Sequence, residues 1–333
     1  MKGEGIIGAA DTVTKAYIRK NEVFADAFNY FMYDGRQKIQ PEQLRELDST
    51  EIAILLNEKD TKDKTNKEKE ASEQKMVQKY RDLLKTATIM EDGEATYVLL
   101  GIENQTEVHY AMPVRNMLYD AMQYNQQVTE IAEKHKGKKG GKRQQKISTG
   151  EFLSGFYKNN KLIPVITLVL FFNPGEWDGP RSLFDMLDIS NPIFKKYAQD
   201  YKIHIISPKE ILESDLKKFS SSLREVIGCI KYSNDKNKLA AFIQDNPRMN
   251  MEVEAARVIE VIIHTHIKRE EVDDMGNVNM CKAIQEMIQD GRDEGRVQLL
   301  VTLIQSGDIS LQRAAALMNM TPEEFQEKSK MIS

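Results

Sequence analysis

Asp82 and the run Glu103-Asn104-Gln105 are the residues whose types and spacing could do chemistry. Residues two apart in a strand face the same side, so Glu103 and Gln105 project together if the run is extended. If Arg81-Asp82 opens a neighbouring antiparallel strand, Asp82 can meet Glu103 across the hairpin. Two carboxylates brought together at a strand edge form a hard-oxygen pocket suited to Mg2+. Such an ion polarises a phosphoryl oxygen and generates hydroxide near neutral pH. Gln105 then stands where a neutral amide orients the attacking water or the scissile phosphate. Solvated charge is the competing account of such residues.

The elements that must position these residues are legible on either side. Tyr80 to Met90 and Tyr97 to Thr106 read as strands joined by the turn-forming Glu91-Asp92-Gly93-Glu94. Upstream, Val23, Phe24, Ala27, Phe28 and Phe31 fall at helical spacing between Asn21 and Tyr33, where Asp34-Gly35 ends the pattern. Ile39 to Leu56 reads as a connection and then a strand or edge element. Downstream, Pro113 fits the first turn of a helix running to about Glu133. Leu162 to Phe172 has the continuous apolar character of a central strand covered on both faces, and Lys202 to Ile206 supplies another strand. After about Glu210 the strand signals vanish, and Leu212–Asp245, Met251–Lys268 and Met280–Ser306 read as helices. The chain ends in a helix-turn-helix rhythm, with Thr321-Pro322-Glu323-Glu324 as a capping box. Acids at Glu323, Glu324 and Glu327 favour packing or oligomerisation over groove reading there.

Arg115 and Tyr119 lie four apart on the predicted helix after the third strand. They either place a guanidinium and a phenol near a phosphate, or Tyr119 packs while Arg115 pairs with Asp120 or Glu107. Just beyond, Lys134 to Lys146 holds seven Lys or Arg, three glycines and no acid. Lys138, Lys139, Lys142 and Arg143 supply a local basic footprint for DNA phosphates, with a solvated loop as the competing account. Between Glu58 and Glu70, ten of thirteen residues are charged, five of each sign, which marks a solvated insertion over 57–79.

Composition narrows the classes. The 333 residues carry 47 basic and 51 acidic side chains, a net charge of -4, and 41% apolar residues, as in ordinary globular proteins. Cys229 and Cys281 suggest neither a disulfide framework nor a zinc knuckle, so a reducing, cytoplasmic setting is expected. The longest apolar run has 11 residues, against roughly 20 needed to span a bilayer, so no membrane partner is expected.

Several strings occur in one order: Phe24-Ala25-Asp26-Ala27-Phe28-Asn29-Tyr30, Tyr80-Arg81-Asp82-Leu83-Leu84-Lys85, Leu99 to Thr106, and His109 to Arg115 with Tyr119-Asp120. With Pro164 to Leu170, Trp177 and Gly291 to Arg296, the series resembles the PD-(D/E)XK nuclease-family transposases, the Rpn or YhgA-like recombination-promoting nucleases. The resemblance implies an α/β, restriction-endonuclease-like mixed sheet flanked by helices over residues 1–210, with a helical C-terminal region over 211–333. It implies a metal-dependent DNA endonuclease tied to recombination or transposition, using Mg2+, with Mn2+ or Ca2+ as alternatives. Asp82 and Glu103 match the acids of the second and third core strands. Gln105 falls where the superfamily most often has lysine, which leaves room for a weak nuclease or a binder that does not cut. The first helix often supplies a third metal ligand, and Asp26 is preferred to Glu22 because it lies inside the matching string. DNA is the implied partner, and a homo-oligomer through the C-terminal region is a further expectation.

Overall fold

The computed structural model describes residues 4–47, 82–91, 94–137, 147–244, 246–264, 273 and 276–332. Two compact units divide the chain, Met1–Lys231 and Tyr232–Ser333.

The first unit is built on a five-stranded mixed sheet in the order β1-β2-β3-β4-β5. These strands are β1 (Leu44–Glu46), β2 (Leu83–Glu91), β3 (Glu94–Gln105), β4 (Val165–Phe171) and β5 (His204–Ile206). The first three pair antiparallel, and β4 and β5 continue the sheet in parallel. The hairpin pairs Leu83 with Ile102 through to Glu91 with Glu94. The apolar strand β4 is central as expected. Val165, Leu168, Val169, Leu170 and Phe171 are all buried, as helices covering both faces require.

Helices α1 (Glu4–Ile18) and α2 (Asn21–Tyr33) lie on one face, and α3 (Met112–Gly137) on the other. Side-chain parity along β3 shows this. Asn104 reaches Thr14 of α1, while its neighbour Glu103 reaches Arg115 of α3. Beneath α3, Met112, Val169, Phe171, Trp177 and Ile203 form one apolar cluster, with Trp177 edge-on to Phe171 at 5.2 Å. A second cluster joins Leu84, Leu99 and Val165.

The expected all-helical region after residue 210 is corrected in two places. A 3-10 turn, Glu213–Lys218, precedes the helices α5 (Leu223–Tyr232) and α6 (Lys236–Ile243). Asp235 starts α6 by accepting from the backbone of Asn237 and Lys238. In the second unit, β6 (Asn250–Glu252) and β7 (Asn277–Asn279) form an antiparallel pair. Each buries only its central residue, Met251 or Val278, too little apolar alternation to announce a strand.

The remaining helices are α4 (Thr149–Ser154) in the first unit, with α7 (Val253–Ile263), α8 (Met280–Gln305), α9 (Leu311–Leu317) and α10 (Pro322–Ile332) in the second. The last three close around Val297, Ala314, Ala315 and Phe325. The Thr321–Glu324 capping box is formed reciprocally at 2.8 and 3.2 Å.

Among the described residues no helix is long and apolar enough to cross a membrane. Cys229 and Cys281 are not joined in a disulfide.

Candidate active site

The strand expected to open at Arg81-Asp82 opens at Leu83, opposite Ile102, so Asp82 stands one residue before the ladder instead of pairing with Glu103 across it. Asp82 itself lies in a bend before β2, with its side chain 8% exposed. Its two oxygens have different partners. Oδ2 accepts the backbone N–H of Asn104 at 2.8 Å, and Oδ1 lies 3.0 Å from the ammonium of Lys15. The carboxylate therefore takes the place of the next strand residue and fixes the end of β3.

Glu103 is fully buried, and Arg115 Nη2 lies 3.1 Å from its Oε2. Arg115 also donates from Nε to the Tyr119 hydroxyl at 3.1 Å and stands over that ring. The i, i+4 spacing on α3 thus does join these two residues, but the carboxylate they meet is Glu103, not Asp120 or Glu107. Asp120 is engaged elsewhere, accepting from Thr167 at 2.6 Å and Tyr201 at 2.5 Å. Burial disfavours charge on Arg115, yet the field of Glu103, followed by Tyr119 and last by Asp82, outweighs it and raises the pKa. Tyr119 is likewise raised, chiefly by burial and then by Glu103 and Asp82. The negative fields of Asp82 and Glu103 therefore overlap on one guanidinium and one phenol.

Gln105 ends β3, half-buried and level with Phe171 of β4, on the strand face that Glu103 uses. Asp26 is not brought to this site. Its fully buried carboxylate accepts the backbone N–H groups of Ser220 and Ser221 and both hydroxyls, in five hydrogen bonds of 2.7–3.0 Å. It anchors the segment entering α5. Among the described residues no group of three or more His, Cys, Asp or Glu side chains is arranged to hold an ion, so Asp26 does not complete a ligand set with Asp82 and Glu103.

Residues of α1 that the sequence reading passed over do reach Asp82. Lys15 bridges Asp11 Oδ2, at 2.8 Å, and Asp82. Burial works against the Lys15 ammonium, but its bonds to Asp11 and Asp82 outweigh that and hold the pKa above the usual lysine value. Asn104 donates to Thr14 Oγ1 at 2.6 Å and Asp11 Oδ1 at 3.3 Å. The only signal in the sequence was the i, i+4 pair Asp11 and Lys15, which is common on helix surfaces.

Hard oxygen donors suit a divalent ion, and one feature fits one here: the Lys15 ammonium already stands on Asp82 as a cation. On the face of β3 away from Glu103, the buried Asn104 Oδ1 has no hydrogen-bond partner among the described residues. The buried Asn116, next to Arg115 on α3, likewise has neither amide end partnered among them.

The basic tract is partly outside the described residues: Lys138, Lys139, Lys142 and Arg143 fall there, as does the charged insertion over 57–79. Its first residues depart from the expected loop. Lys134, His135 and Lys136 extend α3, where basic side chains complement the negative end of the helix dipole. His135 stacks on Tyr157 and lies 2.8 Å from the Gly155 carbonyl oxygen, which holds that last turn.

Comparison of the chain with protein-family models, with curated proteins and with solved structures finds no match in any of the three.

Proposed function

We propose that this chain is a metal-dependent DNA endonuclease with a restriction-endonuclease-like core, hydrolysing phosphodiester bonds. The observation that supports the reading is that both acids act on one cation: Glu103 lies 3.1 Å from the Arg115 guanidinium, and Asp82, just before β2, adds to the field on it. The resemblance of the ordered strings to the recombination-promoting nucleases supports it, and a cytoplasmic role in recombination or transposition goes with it.

In this reading Asp82 and Glu103 hold Mg2+, with Mn2+ or Ca2+ as substitutes. When bound, the ion supplies a Lewis acid on the phosphoryl oxygen and an activated water. The protein's own residues do the rest. The Asn104 N–H holds Asp82 Oδ2 and leaves Oδ1 as the oxygen for a cation. Tyr119 fixes the guanidinium of Arg115, whose remaining N–H groups can meet a phosphate oxygen. Gln105 offers an amide dipole to water or phosphate, weaker help for developing charge than an ammonium. Lys138, Lys139, Lys142 and Arg143 bind the duplex backbone without sequence preference.

Supercoiled plasmid with Mg2+ or Mn2+ tests the reading. Wild type should give nicked or linear product, and Glu103→Ala should give none above background. Equal cleavage by both proteins would remove Glu103 from the reaction. A second reading, a nuclease-fold protein that grips DNA without cutting, draws on Gln105 and on the ion pairs that already neutralise both acids. Salt-sensitive plasmid retention with no cleavage by wild type would favour it.

A further inference from the structure

We propose that Lys15 is the resident counter-ion of Asp82, and that loading a divalent cation moves its ammonium wholly onto Asp11. The proposal rests on reading Asp82 and Glu103 as the ligands of that ion.

The two cations at the site are held very differently. Arg115 is three-quarters buried and is fixed by Glu103, by the Tyr119 hydroxyl and by the Tyr119 ring. Lys15 is 41% exposed, and its ammonium is shared between Asp82, 8% exposed, and Asp11, 44% exposed. Asp11 is one helical turn away on α1 and already at 2.8 Å, the shorter of the two contacts. Leaving Asp82 therefore costs Lys15 one contact and no new rotamer of its partner.

Asp82 is prepared for the exchange. Its Oδ2 stays on the Asn104 N–H at 2.8 Å, so the carboxylate does not swing when Oδ1 loses the ammonium. An ammonium at 3.0 Å is one charge at a hydrogen-bonding distance. A divalent ion is two charges at about 2.1 Å, and Coulomb attraction favours it strongly at that oxygen. Without the ion, Lys15 spares Asp82 the cost of an uncompensated, nearly buried charge. Lys15 thus lowers the site's affinity for metal while it keeps the empty site folded, and Asp11 works through Lys15 as its second resting place.

Calorimetric titration of Mn2+ into the full chain tests this without any cleavage assay, with Glu103→Gln as the baseline. Lys15→Gln should bind Mn2+ ~10-fold tighter than wild type, as removal of one nearby positive charge predicts. Lys15→Arg, which keeps the charge, should stay within ~2-fold of wild type. Asp11→Asn should bind ~5-fold more weakly, and that loss should shrink below ~2-fold in the Lys15→Gln background, the coupling expected of residues acting through one another. Unchanged or weaker binding by Lys15→Gln, with binding still lost in Glu103→Gln, would overturn the counter-ion role and leave the ion site standing. An equal Asp11→Asn loss in both backgrounds would show Asp11 acting on the ion directly and overturn its role as a resting place. Wild-type heat that Glu103→Gln does not abolish, or no heat from wild type and Lys15→Gln alike, would remove the ion site and the proposal with it.

Discussion

Glu103 and Asp26 are both fully buried carboxylates of the first unit, and the sheet puts them to opposite uses. Asp26 is satisfied by neutral donors on a fixed stretch of chain, the N–H and hydroxyl groups of Ser220 and Ser221. Glu103 faces a charged partner that reaches in from the rim of the site, the partly exposed Arg115. The buried Lys85 on β2 follows the Asp26 pattern: its ammonium donates to the Arg19 carbonyl and Asn21 Oδ1 at 2.5 and 2.6 Å and sits over the Phe24 ring. Neutral satisfaction by the backbone commits a charge to holding the fold. Satisfaction by a side-chain cation leaves a charge that another cation or a phosphate can recruit.

The largest expected effect breaks the comparison on the Glu103 side. Glu103→Gln keeps the shape and removes the charge, so plasmid cleavage should fall by at least ~10^3-fold, the scale of losing a group that stabilises transition-state charge. The folded state should survive, because the amide of the variant still offers Arg115 an acceptor and the Tyr119 hydroxyl stays bound to its Nε. Cleavage assays beside a thermal melt separate the two quantities. A variant that unfolds while its soluble fraction stays active would place Glu103 with Asp26, as scaffold.

Asp26→Ala supplies the mirror image. It strands four donor groups on Ser220 and Ser221, so it should cost about 3–5 kcal/mol, read from urea midpoints. Activity per folded molecule should hold. A stable Asp26→Ala protein that no longer cleaves would return Asp26 to the chemistry.

The sequence could not separate these two acids, and the reason is physical. The hairpin that carries Glu103 is local, with turn residues between two strands, so its register follows from alternation, and Asp82 lies just before its first pair, Leu83 with Ile102. The Arg115–Tyr119 pair is closer still, one helical turn, and it formed as spaced. The partners of Asp26 lie 194 and 195 residues away, and nothing in a run of serines announces a buried acid. Lys15 and Asp11 were missed for a related reason. Their pairing with each other is an ordinary surface pattern, and only the packing of α1 on β3 turns it toward Asp82. The β6–β7 ladder escaped because three residues are too few to show a period.

Lys85 sharpens the same contrast through pH. Burial is the main cause lowering its pKa to about 8; Glu46 opposes it, Arg19 adds to it and Glu22 opposes it. At neutral pH the ammonium is charged folded and unfolded, and its burial is a standing cost. Between pH about 8 and the unfolded lysine value near 10.4, the unfolded chain holds more protons, so stability should rise with pH. The full rise is roughly 3 kcal/mol and levels off above that window. Lys85→Met should lose this rise, so the difference between wild-type and variant urea midpoints from pH 7 to 10.5 isolates it. Parallel pH profiles would mean the ammonium is better solvated than its neutral partners provide.

Tyr119→Phe carries the smallest effect and tests whether the site's cation is positioned or merely present. The change removes one hydrogen bond to Arg115 Nε and keeps the ring beneath the guanidinium. Stability should drop by about 1 kcal/mol. Cleavage should fall ~3–10-fold through kcat, with the salt dependence of DNA binding unchanged, because Arg115 keeps its charge and loses only its aim. Arg115→Lys should then behave as a harsher version of the same lesion, since an ammonium cannot meet Glu103, the phenol and a phosphate at once. If Tyr119→Phe leaves kcat intact and instead weakens DNA binding, Arg115 serves the duplex as a simple charge, and the distinction between an exchangeable partner and a fixed one would have to rest on Lys15 alone.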